Sequence, residues 1–191
     1  MKKARLDRRV EKTRSALFGA FAGLVQKHRY EDIGVADILE RANVSRSAFY
    51  EHFSGKEGLL AGSIAGPFAV LAESIWAADN TSSLSRILEH FWANRARAGA
   101  ILREPARSKT AAVLSGQIEQ RLKANGLGLR GALILPTRLA AIQLAEGFLA
   151  PITAWLSAEP RCTAQTLALA LRRVAAATLA ALQAPGVGRG A

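Results

Sequence analysis

Cysteine is almost missing from this chain. Cys162 is the only one, so no internal disulfide can form and no cysteine-based metal cage can be built. Histidine is scarce too, and His28, His52 and His90 stand far apart. No His-Glu-x-x-His pair, Gly-x-Ser-x-Gly elbow or phosphate-binding loop occurs, so the common hydrolase, metalloprotease and nucleotide-binding signatures are lacking and no cofactor is implied. Acidic residues are in deficit, 15 against 26 Lys and Arg, which leaves a net charge of +11. Such a surplus favours polyanionic partners, either nucleic acid or an anionic membrane surface. No uncharged apolar run reaches the roughly 18 residues a membrane span requires. The opening MKKARLDRRVEKTR followed by ALFGAFAGLV imitates a signal peptide. Its charged part is long and holds Asp7 and Glu11, however, and Leu17, Ala20, Phe21, Leu24 and Val25 keep a helical period. A cytoplasmic protein without a membrane partner is the expectation, in line with the cysteine usage.

What is present points to an all-α protein. Half of the 191 residues are hydrophobic, enough for a sizeable core. Runs rich in Ala, Leu, Glu, Arg and Gln recur at the 3.6-residue period between short Gly, Pro, Ser or Asn clusters. The pattern predicts a first helix over about 10–27 and a short second one from Val35 to Arg41, with Val35, Ile38, Leu39 and Ala42 as its apolar face. Asn43 stands where the chain must turn, since Asn tolerates the left-handed conformation. Ser45 is placed to cap a third helix running to His52. Ser54-Gly55-Lys56-Glu57 has capping-box spacing and opens a long helix over about 55–77, bent at Pro67. Beyond Asp79-Asn80 four more helices are expected. One covers 83–97, the next has Pro105 in its first turn and Gly126 past its end, the third covers 136–157, and the last runs from Thr163 to Gln183. Residues 185–191 read as a frayed tail.

Two short helices around a turn, at about 34–53, make helix-turn-helix geometry. The third helix is divided by chemistry. Val44, Ala48, Phe49 and Phe53 can face a bundle, while Arg46, Ser47, Tyr50 and Glu51 fall on the other side. An Arg fork pairs with guanine O6 and N7, and Ser reaches bases or phosphate. Tyr50, His52 and Lys56 are placed to hydrogen-bond phosphates. The helix start near Gly55 adds backbone donors. Each residue alone reads equally well as a solvated side chain beside a packed turn; the set, together with the leader, reads as a DNA-binding face. Residues 1–14 carry Lys2, Lys3, Arg5, Arg8, Arg9, Lys12 and Arg14 against Asp7 and Glu11. Such an arm can lie along the DNA backbone or enter the minor groove.

The segments TRSALFGAFAGLV and YEDIGVADILERANVSRSAFYEHFSGKEGLL resemble the amino-terminal DNA-binding domain of the tetracycline-repressor (TetR) family of bacterial regulators. The likeness covers about residues 10–62 and lies in Tyr30–Ile33, Val35-Ala36-Asp37-Ile38, Ala42, Val44-Ser45, Phe49-Tyr50, His52-Phe53, Lys56 and Leu59-Leu60. It implies a homodimer that reads a palindromic operator on double-stranded DNA, commonly as a repressor, and is released by a small-molecule effector. It divides the chain into a DNA-binding domain over 1–60 and an effector-binding and dimerisation domain over 61–184. It also implies that Thr13, Tyr50, His52 and Lys56 meet the DNA backbone and that Arg46, Ser47 and Ala48 meet bases, with Val35 and Ser45 in the same DNA-facing set. Three positions depart from the family's habit: Gly34 stands where a Thr often caps and contacts phosphate, Asn43 replaces the turn Gly, and Ala48 replaces a frequent Thr, leaving a methyl that can meet a thymine methyl.

The second region carries no pattern that transfers residue by residue. Its 136–157 helix is apolar almost all round, with Leu139, Ile142, Leu144, Phe148, Leu149, Ile152, Trp155 and Leu156, which requires burial on more than one side. Its last helix is dense in Ala, at 168, 170, 175, 176, 177, 180 and 181. Two such helices per subunit fit a four-helix dimer interface, against the plainer reading of a monomeric core. On the 83–97 helix, Leu84, Leu88, Phe91 and Arg95 share a face beside Trp92. Arg95 is therefore the candidate to hold an anionic effector in an apolar pocket, or else to pair with a carboxylate such as Glu146. A helical enzyme and a basic membrane-surface protein are the alternative readings. The first lacks any catalytic motif, and the second is disfavoured because the charges are spread over globular helices.

Overall fold

Lys, Arg, Glu, Ala and Leu dominate the start of the chain, and neither Gly nor Pro interrupts it before Gly19, so helix propensity is unbroken there. Helix α1 accordingly spans Lys2–Val25 and takes in the whole basic leader, where the sequence predicted a start near residue 10. It ends as the N–H groups of Lys27 and His28 both converge on the Leu24 carbonyl, each at 2.9 Å. A 3-10 turn at Tyr30–Asp32 leads to α2, Val35–Ala42. The Asp37 carboxylate accepts from the Gly34 N–H at 2.7 Å and so secures the start of α2 from within. Asn43 ends α2 in the left-handed region, with φ 51° and ψ 50°, as its side chain permits. Helix α3, Arg46–Tyr50, is capped by Ser45, whose Oγ accepts from the Ala48 N–H at 3.3 Å. It is shorter than predicted, and His52 falls in the turn that follows.

The remaining helices are α4 (Lys56–Glu73), α5 (Thr81–Ala93), α6 (Arg95–Leu102), α7 (Arg107–Ala124), α8 (Thr137–Leu156) and α9 (Ala164–Leu182). This computed structural model describes residues 2–76, 81–129, 132–157 and 162–184, with side chains from residue 9 onward. The Asp79-Asn80 break, the 185–191 tail and the side chains of Lys2, Lys3, Arg5, Asp7 and Arg8 lie outside the described residues. No strand occurs among the described residues; a single bridge joins Leu133 to Gln183.

Three local expectations need correction. The predicted 83–97 helix is two helices with Asn94 between them; the His90 carbonyl accepts both the Asn94 N–H at 3.1 Å and its side-chain amide at 2.9 Å. Pro105 lies ahead of α7 rather than in its first turn. The Glu57 carboxylate pairs with Lys109 Nζ at 3.0 Å rather than returning to the Ser54 N–H, because α7 supplies a cation that sequence spacing does not show.

The chain packs as two compact units. The first comprises Met1–Ile64 with Ala96–Thr110, and the second comprises Ala65–Arg95 with Ala111–Ala191. In the first unit Leu17, Phe21, Ile38, Phe49 and Leu59 are buried around α1, and the Phe49 and Phe53 rings lie 5.9 Å apart. Each such side chain contributes about 1.5–3 kcal/mol by leaving water. In the second unit α5, α8 and α9 pack together, burying Leu84, Leu88, Phe148, Ile152 and Leu171. Helices α8 and α9 are long and apolar enough to cross a membrane by length and composition alone. A core helix passes the same test, and α8 buries Ala140, Ala141, Leu144, Ala145, Phe148 and Ile152 within this unit.

Candidate nucleic-acid interface

Burial of Phe49 and Phe53 sets the rotation of α3. With those rings inward, Arg46, Ser47 and Tyr50 are left exposed, Tyr50 by half, its ring edge-on to Phe49 at 5.2 Å. Ala48 and Val44 are half-buried between the two sides. A cleft of about 260 Å3 opens beside this helix in the first unit. Thr13, Ser45, Ser47, Ala48 and His52 all line it, so five of the nine residues singled out for DNA contact meet at one place. Ser45 and Ser47 share a hydrogen bond at 3.1 Å, and Thr13 donates to the Arg9 carbonyl at 3.1 Å. Hydroxyls and an imidazole in an open cleft are groups that phosphate oxygens and base edges accept.

The other candidates are placed differently. Arg46 and Tyr50 stand exposed on α3, free to reach outward. Val35 is half-buried at the start of α2. Lys56 is the surprise. Its Nζ donates to the carbonyls of Tyr30 at 2.8 Å and Ile33 at 2.7 Å, with Glu31 farther at 3.5 Å, and sits 4.4 Å from the Tyr30 ring centroid. An ammonium has three donors, and these carbonyls occupy them. Lys56 thus ties the turn before α2 to the start of α4, and its expected phosphate contact gives way to a positioning one.

Burial raises the Tyr30 phenol, with the Glu57 charge adding to it, to about 12. Glu57 itself lies below its ordinary range, chiefly through the Lys109 hydrogen bond.

The cleft is also lined by Arg9, read from the sequence only as one cation of the leader, by Glu51 of the outward side of the third helix, and by Val10, which the sequence did not single out. The signal for Arg9 was its spacing of four from Thr13, meaningful only once the leader is helical. That helical form also corrects one of the arm's two expected routes. A helix is about 10–12 Å across and the minor groove about 6 Å wide, so this leader does not enter it as a helix. Arg14, another cation of that leader, holds its guanidinium over both Phe18 and Phe53, at 5.5 and 5.3 Å.

The effector candidates do not share one face. Phe91 is buried, whereas Arg95 opens α6 and lies exposed, 5.7 Å over the Trp92 ring. Trp92 in turn stacks on Trp155 at 4.8 Å, and Glu146 on α8 is half-buried. The break at Asn94 is the reason, since it takes Arg95 off the helix whose stripe it was expected to extend.

Residues 14–62 match the family model of bacterial regulatory proteins of the tetR family. Over that stretch, about a quarter of the chain, it carries the family's DNA-binding domain. An amino-terminal helix-turn-helix domain is thus followed by a helical domain. It is 43% identical over 60 residues to the uncharacterized HTH-type transcriptional regulator YxbF of Bacillus subtilis, a stretch covering 31% of this chain and 16% of that protein. It is 36% identical over 59 residues to DhaS, the dhaKLM operon transcriptional activator of Lactococcus lactis, covering 31% of this chain and 32% of that one. The matched segments thus span less than a third, or about a third, of these relatives. A TetR transcriptional regulator from Streptococcus agalactiae shares the fold along nearly the whole length, with a TM-score of 0.56, 24% identity, and coverage of 91% of this chain and 98% of that one.

Proposed function

We propose that this protein is a cytoplasmic, homodimeric repressor of the tetR family that reads a palindromic operator and is released by a small-molecule effector. Residues 1–60 serve as its reading head and 61–184 as its effector-binding and dimerisation region. The observation that carries the reading is the convergence of Thr13, Ser45, Ser47, Ala48 and His52 on one cleft beside exposed Arg46 and Tyr50. In this reading Arg46, Ser47 and Ala48 meet bases, Thr13, Tyr50 and His52 meet phosphates, and Val35 and Ser45 border the contact.

Dimerisation is supported by what α8 and α9 leave uncovered. Leu139 and Ile142 are exposed on α8, at 51% and 38%, in line with exposed Gly147, Ala150 and Ala154. On α9, Val174 is 57% exposed among Ala170, Ala177 and Ala181. Both stripes follow helical spacing, and small side chains let a second pair of helices approach closely. In this reading the effector binds in the second unit, with Phe91, Trp92, Arg95 and Glu146 as its candidate contacts.

The test is affinity over a library of substituted operators at two salt concentrations. Arg46→Ala should cost about 1–3 kcal/mol per contact and relax preference at one symmetric pair of positions. If it weakens every sequence equally, Arg46 holds a phosphate and the division of α3 is wrong. Activation is the second reading, because the similar DhaS is named an operon activator. A promoter–reporter measured with and without the gene decides the sign.

A further inference from the structure

The first unit holds a second, larger hollow, away from the α3 cleft. A cavity of about 380 Å3 lies between the end of α1 with the turn after it and α6 with the turn after that. Helix α6 lines it with Ala96, Gly99 and Ala100, the i, i+3, i+4 positions of one helix face, and Arg103 follows just past the helix end. Three small residues in a row on that face leave space that larger side chains would fill. The Arg103 guanidinium lies alongside the gap; a Cβ built on Gly99 would meet its Cζ at 3.6 Å. Across from α6, Val25 is buried and gives an apolar wall, while Lys27, His28 and Arg29 are exposed at the rim.

Cations outnumber carboxylates in the lining: Lys27, Arg29 and Arg103 stand with Glu104, while Arg29 pairs with Glu31 outside the lining and Arg103 has a partner of its own. Tyr30 is a lining residue too, 4% exposed, and its hydroxyl has no hydrogen-bond partner. The volume lies at the low end of the about 300–1,000 Å3 typical of small-molecule sites, suiting one or two fused rings rather than a larger ligand.

We propose that this cavity binds a small organic anion, its apolar body against Val25, Ala96 and Gly99 and its carboxylate held by Lys27, Arg29 and Arg103. The site belongs to the unit that carries the helix-turn-helix, and it is separate both from the DNA cleft and from an effector site in the second unit. It does not depend on the operator reading, because binding is read on the protein alone.

The experiment titrates the full-length, 15N-labelled chain with 2-naphthoate, following amide shifts. Shifts should concentrate on residues 25–30 and 96–104. Lys27→Gln and Arg103→Gln should each weaken binding about tenfold, the worth of one charge-assisted contact. Ala96→Leu, at an exposed position where the fold has no need of alanine, should block the cavity and weaken binding at least as much. The neutral 2-naphthylmethanol should bind about tenfold more weakly than the acid. Shifts confined to α8 and α9, no shifts at millimolar probe, or unchanged affinity in Lys27→Gln and Ala96→Leu chains that keep the wild-type spectrum elsewhere would each overturn the proposal.

Discussion

The two units present opposite surfaces from similar materials. In the first, large aromatics (Phe21, Phe49, Phe53) are drawn inward, and hydroxyls, an imidazole and Arg46 are left outward around a cleft. In the second, α8 and α9 bury their large side chains and still leave Leu139, Ile142 and Val174 in water. A polar surface with a shaped hollow can recognise a polyanion without further burial. An apolar surface of that length remains costly until another apolar surface covers it. The second unit thus shows a face suited to a copy of itself.

The largest effect should come from breaking that face. Ala177→Arg places a charge where the proposed interface is closest, and an unpaired charge there should cost on the order of 3 kcal/mol, which is roughly a hundredfold in the dimerisation constant. Sedimentation velocity should show monomer, with operator affinity falling in parallel because only one half-site is held. A variant that stays dimeric would move the interface elsewhere.

A smaller effect sharpens the contrast inside the first unit. Lys56→Met leaves the carbonyls of Tyr30 and Ile33 without their donor and should lower stability by about 1–3 kcal/mol. Operator affinity should drop because the turn before α2 loosens, yet the slope of affinity against salt should stay as in wild type. A phosphate contact would instead remove about one unit of slope. A fallen slope would restore Lys56 to the backbone-contacting set.

The smallest effect concerns Glu57 and Lys109, an exposed pair worth under about 1 kcal/mol. Because the hydrogen bond holds the Glu57 carboxyl below its ordinary 4.5, the pair stabilises above that value and its contribution disappears as pH falls through the lowered one. Urea midpoints of wild type and Lys109→Met should differ slightly at neutral pH and converge on acidification. A gap that widens in acid would contradict the assignment.

How much could be read beforehand follows the range of the forces involved. Asn43 at a left-handed turn and Ser45 as a cap act within three or four residues, so their spacing alone placed α2 and α3. The two errors on α5 and α7 have a different origin. Asn94 was visible four residues after His90, but only the folded chain shows that the helix breaks there. The polar site was likewise half legible: α3 was found, but Arg9 and Val10 come to it from a leader read as an arm.

The amino-acid sequence by itself determined the all-α class, the helix-turn-helix, the family resemblance and the surplus of positive charge, because periodicity, capping and composition are local or additive properties. Only the tertiary structure decided where Lys56 spends its donors, that Arg95 leaves the apolar stripe, and that α6 meets the end of α1 around a hollow. The first and last of those outcomes depend on residues at least 23 positions apart in the chain, and no rule of spacing ties such partners together before the core has packed.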